Sequence, residues 1–129
     1  MENPDNTEVD RFIVKEIDSV PHLEALLLLW RRRPSAWLAE DVAQMLYVPP
    51  QNAEKLLQDL AQSGLVAVVS GSPDRFAYHP ASEERDKLIE MVEATYRREL
   101  VRITHLIHSK APAAVREFAR AFRFTRDGE

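Results

Sequence analysis

Between Leu23 and Pro80 an apolar stripe with helical spacing occurs three times and then gives way to a strand-turn-strand pattern. Leu23, Leu26, Leu27 and Trp30 occupy positions i, i+3, i+4 and i+7. Ala39, Val42, Ala43 and Leu46 repeat that spacing, as do Ala53, Leu56, Leu57 and Leu60. Residues so spaced share one face of a helix. Three short helices, each with one face to bury, predict a small three-helix core. Pro34 stops the first helix, and Tyr47-Val48-Pro49-Pro50 separates the second from the third. Gly64 follows the third, where a helix ends in the left-handed conformation. Leu65 to Val69 is rich in β-branched residues and predicts a strand. Ser70-Gly71-Ser72-Pro73-Asp74 is turn chemistry, and Arg75 to His79 predicts the returning strand. The expected class is mainly α with a small β-hairpin, an α+β arrangement.

Further helices flank this segment. Residues 1–7 read as a loose tail, and Phe12, Ile13 and Ile17 predict a short amphipathic helix from Glu8. Asp18-Ser19 offers a cap before Pro21, which suits the first turn of the next helix. Ser82 caps a long helix that no Pro or Gly interrupts before Lys110. Unbroken, that helix would span roughly 40 Å. Ile89, Val92, Tyr96, Leu100, Ile103 and Ile107 step along one face by three and four residues. A domain of about 80 residues is too narrow to cover such a stripe, so these residues are expected to meet a second copy. Pro112 opens a final helix with Val115, Phe118, Ala119 and Phe122 on one side and Arg116, Arg120 and Arg123 elsewhere. The expected division is a first domain over residues 1–80 and a helical dimerisation or interaction tail over 81–129.

Composition narrows the function. No cysteine is present, which excludes disulfides and thiolate metal sites. The longest apolar run is far too short to cross a bilayer, and the polar, acidic start lacks a basic n-region. A cytoplasmic protein is the expectation. Residues 1–80 hold 7 Lys or Arg against 12 Asp or Glu, a net of −5, whereas residues 81–129 hold 10 against 9. An acidic surface is a poor partner for a polyanion, so the placement of individual charges decides.

The segment from Trp37 to Leu46, then Ala53 to Leu60, then Gly64-Leu65-Val66 resembles the winged helix-turn-helix superfamily of small bacterial transcriptional regulators. The resemblance covers roughly residues 20 to 80, and a long helix after the wing is similar to a PadR-like layout. It implies DNA binding, with the third helix in the major groove. The residues it points to are Gln51, Asn52, Lys55 and Gln58 on that helix and Arg75 on the wing. Gln and Asn suit adenine edges, while Lys suits guanine or phosphate. Two departures stand out. Leu38 and Pro49-Pro50 stand where many relatives carry a capping Ser or Thr, and Glu54 and Asp59 would face a phosphate-lined groove. These departures suit an alternative, a winged helix that binds protein rather than DNA.

Other candidates have plainer readings. Arg31-Arg32-Arg33 suits a helix C-terminus. His105 and His108 lie i, i+3 without a third ligand, so no metal is expected. His22 and His79 read as structural. The three glycines form no phosphate loop, and no nucleophile elbow occurs, so neither an enzyme nor a cofactor is expected. Phe118 and Phe122 with the nearby arginines form a basic, aromatic helix. It would dock on the long helix of the dimer, or serve a protein partner or a membrane surface.

Overall fold

The computed structural model describes residues 4–110, with side chains from residue 7 onward. The helix expected after Pro112, with Phe118 and Phe122, lies outside the described residues. The order is α1 (Pro4–Glu16), α2 (Val20–Arg31), β1 (Trp37–Leu38), α3 (Ala39–Leu46), α4 (Pro50–Gln62), β2 (Val66–Val69), β3 (Arg75–Tyr78), α5 (Glu83–Arg98) and α6 (Leu100–Ser109). The three stripes lie on α2, α3 and α4, as their spacing predicts. Helix α1 starts at Pro4, earlier than the expected Glu8, because proline is tolerated in a helix's first turn.

Helix α2 is central. Leu23 and the run Ala25, Leu26, Leu27, Leu28 and Leu29 are all buried, so its apolar surface is wider than the four-point stripe implies. It touches α3, α4, α6 and β3. Ser19 caps it, its hydroxyl accepting from the His22 backbone N–H at 3.3 Å. Ser82 caps α5 in the same way, accepting from the Arg85 N–H at 3.1 Å.

The sheet is antiparallel in the order β1-β3-β2. Val66 to Val69 pair with Tyr78 to Arg75, which forms the expected wing. The third strand was not expected. Trp37 and Leu38 pair with Phe76 and Arg75 on the other edge of β3. Two residues are too few to show strand alternation, and Leu38 doubles as the residue that opens α3.

The long helix after the wing is interrupted. Glu99, at φ −128° and ψ 50°, separates α5 from α6. Its N–H still donates to the Thr95 carbonyl at 2.7 Å, and its own carbonyl accepts from the Ile103 N–H at 3.0 Å. Glu99 thus closes the last turn of α5 and opens the first turn of α6. Neither Pro nor Gly causes the kink, so no local signal marks the break in the sequence. Tertiary contacts hold it instead. Arg102 donates from Nε to Glu99 at 2.7 Å and from Nη1 to both carboxylate oxygens of Asp10 on α1, at 3.0 and 2.8 Å. Lys110 then donates from Nζ to the Ile13 and Val14 carbonyls near the end of α1.

This course corrects the dimer face. Ile89, Val92, Tyr96, Ile103 and Ile107 are buried within the protomer. They join Val9, Phe12, Ile13 and Ile17 of α1 and the leucines of α2 in one cluster that spans both sides of residue 80. The stripe is covered from within the chain, because the kink folds α6 back so that α1 packs on both α5 and α6 and α2 on α6. Of the six residues expected to meet a second copy, Leu100 alone is exposed, at 51%.

Because Ile103 is fully buried, Ile103→Ala should lower the unfolding free energy by about 3 kcal/mol. The loss should be the same at low and high protein concentration in urea titrations. A loss that vanished on dilution would return Ile103 to an interface.

Candidate nucleic-acid interface

Helix α4 buries Ala53, Leu56, Leu57 and Leu60 and turns its other side outward. Gln51, Asn52, Lys55 and Gln58 are all exposed there, with Glu54 and Gln62 among them. Lys55 is the cation of this face, its side chain 80% exposed. The helix opens with Pro49 as N-cap and Pro50 inside the first turn, and no side chain caps it. The Pro49 carbonyl accepts from the Asn52 and Ala53 N–H groups at 3.0 and 3.1 Å. Two donors that another sequence would present at this helix start are missing, because proline has no N–H.

Asp59 does not face outward as expected. Its Oδ2 lies 2.9 Å from His22 Nε2, and its Oδ1 lies 3.6 Å from Lys55 Nζ. On the other side of the imidazole, Nδ1 is 2.6 Å from Ser19 Oγ. His22 thus ties the start of α2 to the second half of α4. One acid is drawn off the exposed face toward a group that can carry positive charge. The pairing spans 37 residues, so no local pattern announces it.

Arg75 is exposed at the first position of β3, opposite Val69 on one side and Leu38 on the other. Its neighbour Asp74 is engaged in the turn, where its Oδ1 accepts from the Gly71 N–H at 3.1 Å. A Cβ on Gly71 would approach the Pro73 carbonyl oxygen to 3.0 Å, so the tight turn favours glycine. The base of the wing is anchored by Tyr78, whose hydroxyl donates to Asp86 of α5 at 2.6 Å. Farther along α5, the Tyr96 hydroxyl donates to Glu24 of α2 at 2.9 Å.

The arginine run is mostly absorbed by the fold. Arg31 lies 3.3 Å from Glu93, a buried carboxylate on α5 that Arg97 also approaches at 2.6 Å. Arg33 stacks on the Trp30 ring at 4.3 Å. His105 and His108 are exposed on α6, and among the described residues no three His, Asp or Glu side chains gather as a metal site.

One residue was missed in the sequence. Tyr47, in the turn between α3 and α4, has φ 58° and ψ 44° and is 95% exposed. Only a turn of known geometry reveals it, because the left-handed region favours Gly and Asn.

Both tyrosine hydroxyls hold their protons more tightly in the folded state, chiefly through burial and then through the carboxylate each one meets. Tyr96 is pushed up to about 12, and Tyr78 is raised further. An unfolded phenol titrates near 10. The stabilisation is therefore complete below about pH 10 and is lost as the pH rises through the folded-state values. Thermal unfolding should show the melting temperature falling between about pH 10 and 12, with Tyr96→Phe flattening part of the fall. An unchanged slope in that variant would show that Tyr96 is not responsible.

The sequence matches no protein-family profile and no curated protein. The fold, in contrast, matches solved structures. The DNA complex of MepR from Staphylococcus aureus superposes with a TM-score of 0.55 at 12% identity, covering 96% of this chain and 91% of that one. YusO from Bacillus subtilis gives 0.54 at 17% identity, covering 95% and 82%. The MarR family protein Rv2887 of Mycobacterium tuberculosis gives 0.53 at 20% identity, covering 94% and 84%. This likeness establishes the winged helix-turn-helix fold. It supports no PadR-like layout, in keeping with the kinked α5–α6 unit that replaces the single long helix.

Proposed function

We propose that this chain is a cytoplasmic transcriptional regulator that binds duplex DNA as a homodimer. Helix α4 enters the major groove, where Gln51, Asn52 and Gln58 meet base edges and Lys55 meets guanine or phosphate. Arg75 approaches the flanking backbone or minor groove. The observation that carries this reading is the outer face of α4. Its amides and Lys55 are exposed, and the acid paired with Lys55, Asp59, is shared with His22. The solved MepR–DNA complex, which shares the fold over nearly the whole chain, adds support by analogy. The dimer contact would lie at the kink, a reading supported by Leu100 and Val101, which are 51% and 80% exposed.

A protein-binding role is favoured by one observation: Glu40 and Asp41 on α3 and Glu54 on α4 remain exposed beside the candidate face. Anisotropy of a labelled random-sequence duplex in about 50 mM salt separates the two roles. DNA binding predicts association at micromolar protein that weakens steeply with salt. Lys55→Ala with Arg75→Ala should weaken it and, with two cations lost from each protomer of the dimer, lower the salt slope by roughly three to four. Absence of association at low salt would leave the protein-binding role.

For the dimer, Leu100→Asp with Val101→Asp should convert the sedimenting species to a monomer, since charge is costly in a buried contact. A parent chain that sediments as a monomer at high concentration would refute the assembly.

A further inference from the structure

We propose that Tyr47 is a backbone-contacting residue of the DNA interface, its hydroxyl donating a hydrogen bond to a phosphate oxygen beside the groove that α4 enters. This rests on the DNA-binding reading above. Three observations on the residue itself support it.

The first is conformation. Tyr47 ends α3 in the left-handed region, at φ 58°, a conformation that costs a bulky L-residue free energy and that glycine adopts freely. Gly64, at the end of α4, fills the equivalent role with φ 78°. Tyrosine is therefore a poor choice for the turn as a turn.

The second is exposure. The side chain is 95% exposed, so burial does not repay the strain. Tyr47 forms one edge of a groove of about 310 Å3 that Val20, Pro21, Glu24, Met45 and Leu46 also line, yet it stays almost fully open to solvent. A strained residue that buries almost none of its surface within the protomer is best accounted for by a contact outside it.

The third is chemistry. Helix α4 starts three residues later with Pro50, after Pro49. The start of a recognition helix ordinarily offers backbone N–H donors to phosphate, and these two residues have none. Tyr47 places an O–H donor on the same turn. Tyrosine hydroxyls are among the usual donors to nucleic-acid phosphate, and such contacts position a protein on the duplex without reading its sequence.

Two substitutions test the assignment on the full chain, using the labelled random-sequence duplex at low salt. Tyr47→Gly should raise the melting temperature by relieving the left-handed strain and weaken DNA binding by about tenfold, the scale of a lost hydrogen bond to a charged group. Tyr47→Phe keeps the ring and the backbone strain. It should leave the melting temperature unchanged and weaken binding by the same factor. Parental affinity in both variants would overturn the proposal while leaving DNA binding in place. Parental affinity in Tyr47→Phe, with loss only in Tyr47→Gly, would overturn the hydroxyl contact in favour of the ring. A parent that binds no duplex would overturn both this proposal and the function it rests on.

Discussion

All-round burial of α2 is the constraint on which the rest of the molecule depends. Its leucines project in every direction, and an isolated helix of that kind would be insoluble. Helices α3 and α4 cover part of it, β3 another part and α6 a third. Helix α1 packs in turn on α5 and α6, which closes the core behind the wing. The tail after residue 80 is thus part of the structure that makes the helix-turn-helix stable. The ion cluster of Arg102, Asp10 and Glu99 serves this closure by holding the bend that brings α6 back toward α1.

The charge distribution looks different once partners are known. The first 80 residues carry an acidic surplus, but several of those acids are engaged. Asp10 meets Arg102 and Asp59 meets His22 and Lys55. Glu24 and Asp74 accept hydrogen bonds from Tyr96 and from the Gly71 backbone, which orient their charge without cancelling it. The acids left outward near the candidate face are Glu40, Asp41 and Glu54. A net count treats all of these alike and so exaggerates the repulsion that a polyanion would meet. It also hides how few cations stand at that face, chiefly Arg75 and the Lys55 that Asp59 meets.

Legibility in the sequence followed the range of the interactions. Periodicity revealed α2, α3, α4 and the wing, because an amphipathic face is written in consecutive residues. The caps at Ser19 and Ser82 were legible for the same reason. The exposed residues Gln51, Asn52, Lys55 and Gln58 were legible as the complement of the buried stripe. What escaped was non-local. The two-residue strand β1 exists only through its partner β3, the kink at Glu99 through α1, and the inward turn of Asp59 through His22. The stripe of Ile89 to Ile107 was read correctly as apolar, but periodicity cannot say whether a face meets its own chain or another. Tyr47 escaped because its conformation is at odds with its residue type.

The pairing of Leu38 with Arg75 has a mechanical consequence. Leu38 is at once the last residue of a strand and the residue from which α3 begins, while Arg75 is at once the base of the wing tip and the middle of the sheet. The two backbones are riveted at that point. A displacement of the wing would carry α3 with it, and α4 would follow through the short turn that joins them. Wing and helix pair are therefore coupled through the sheet, and a force on one is felt by the other.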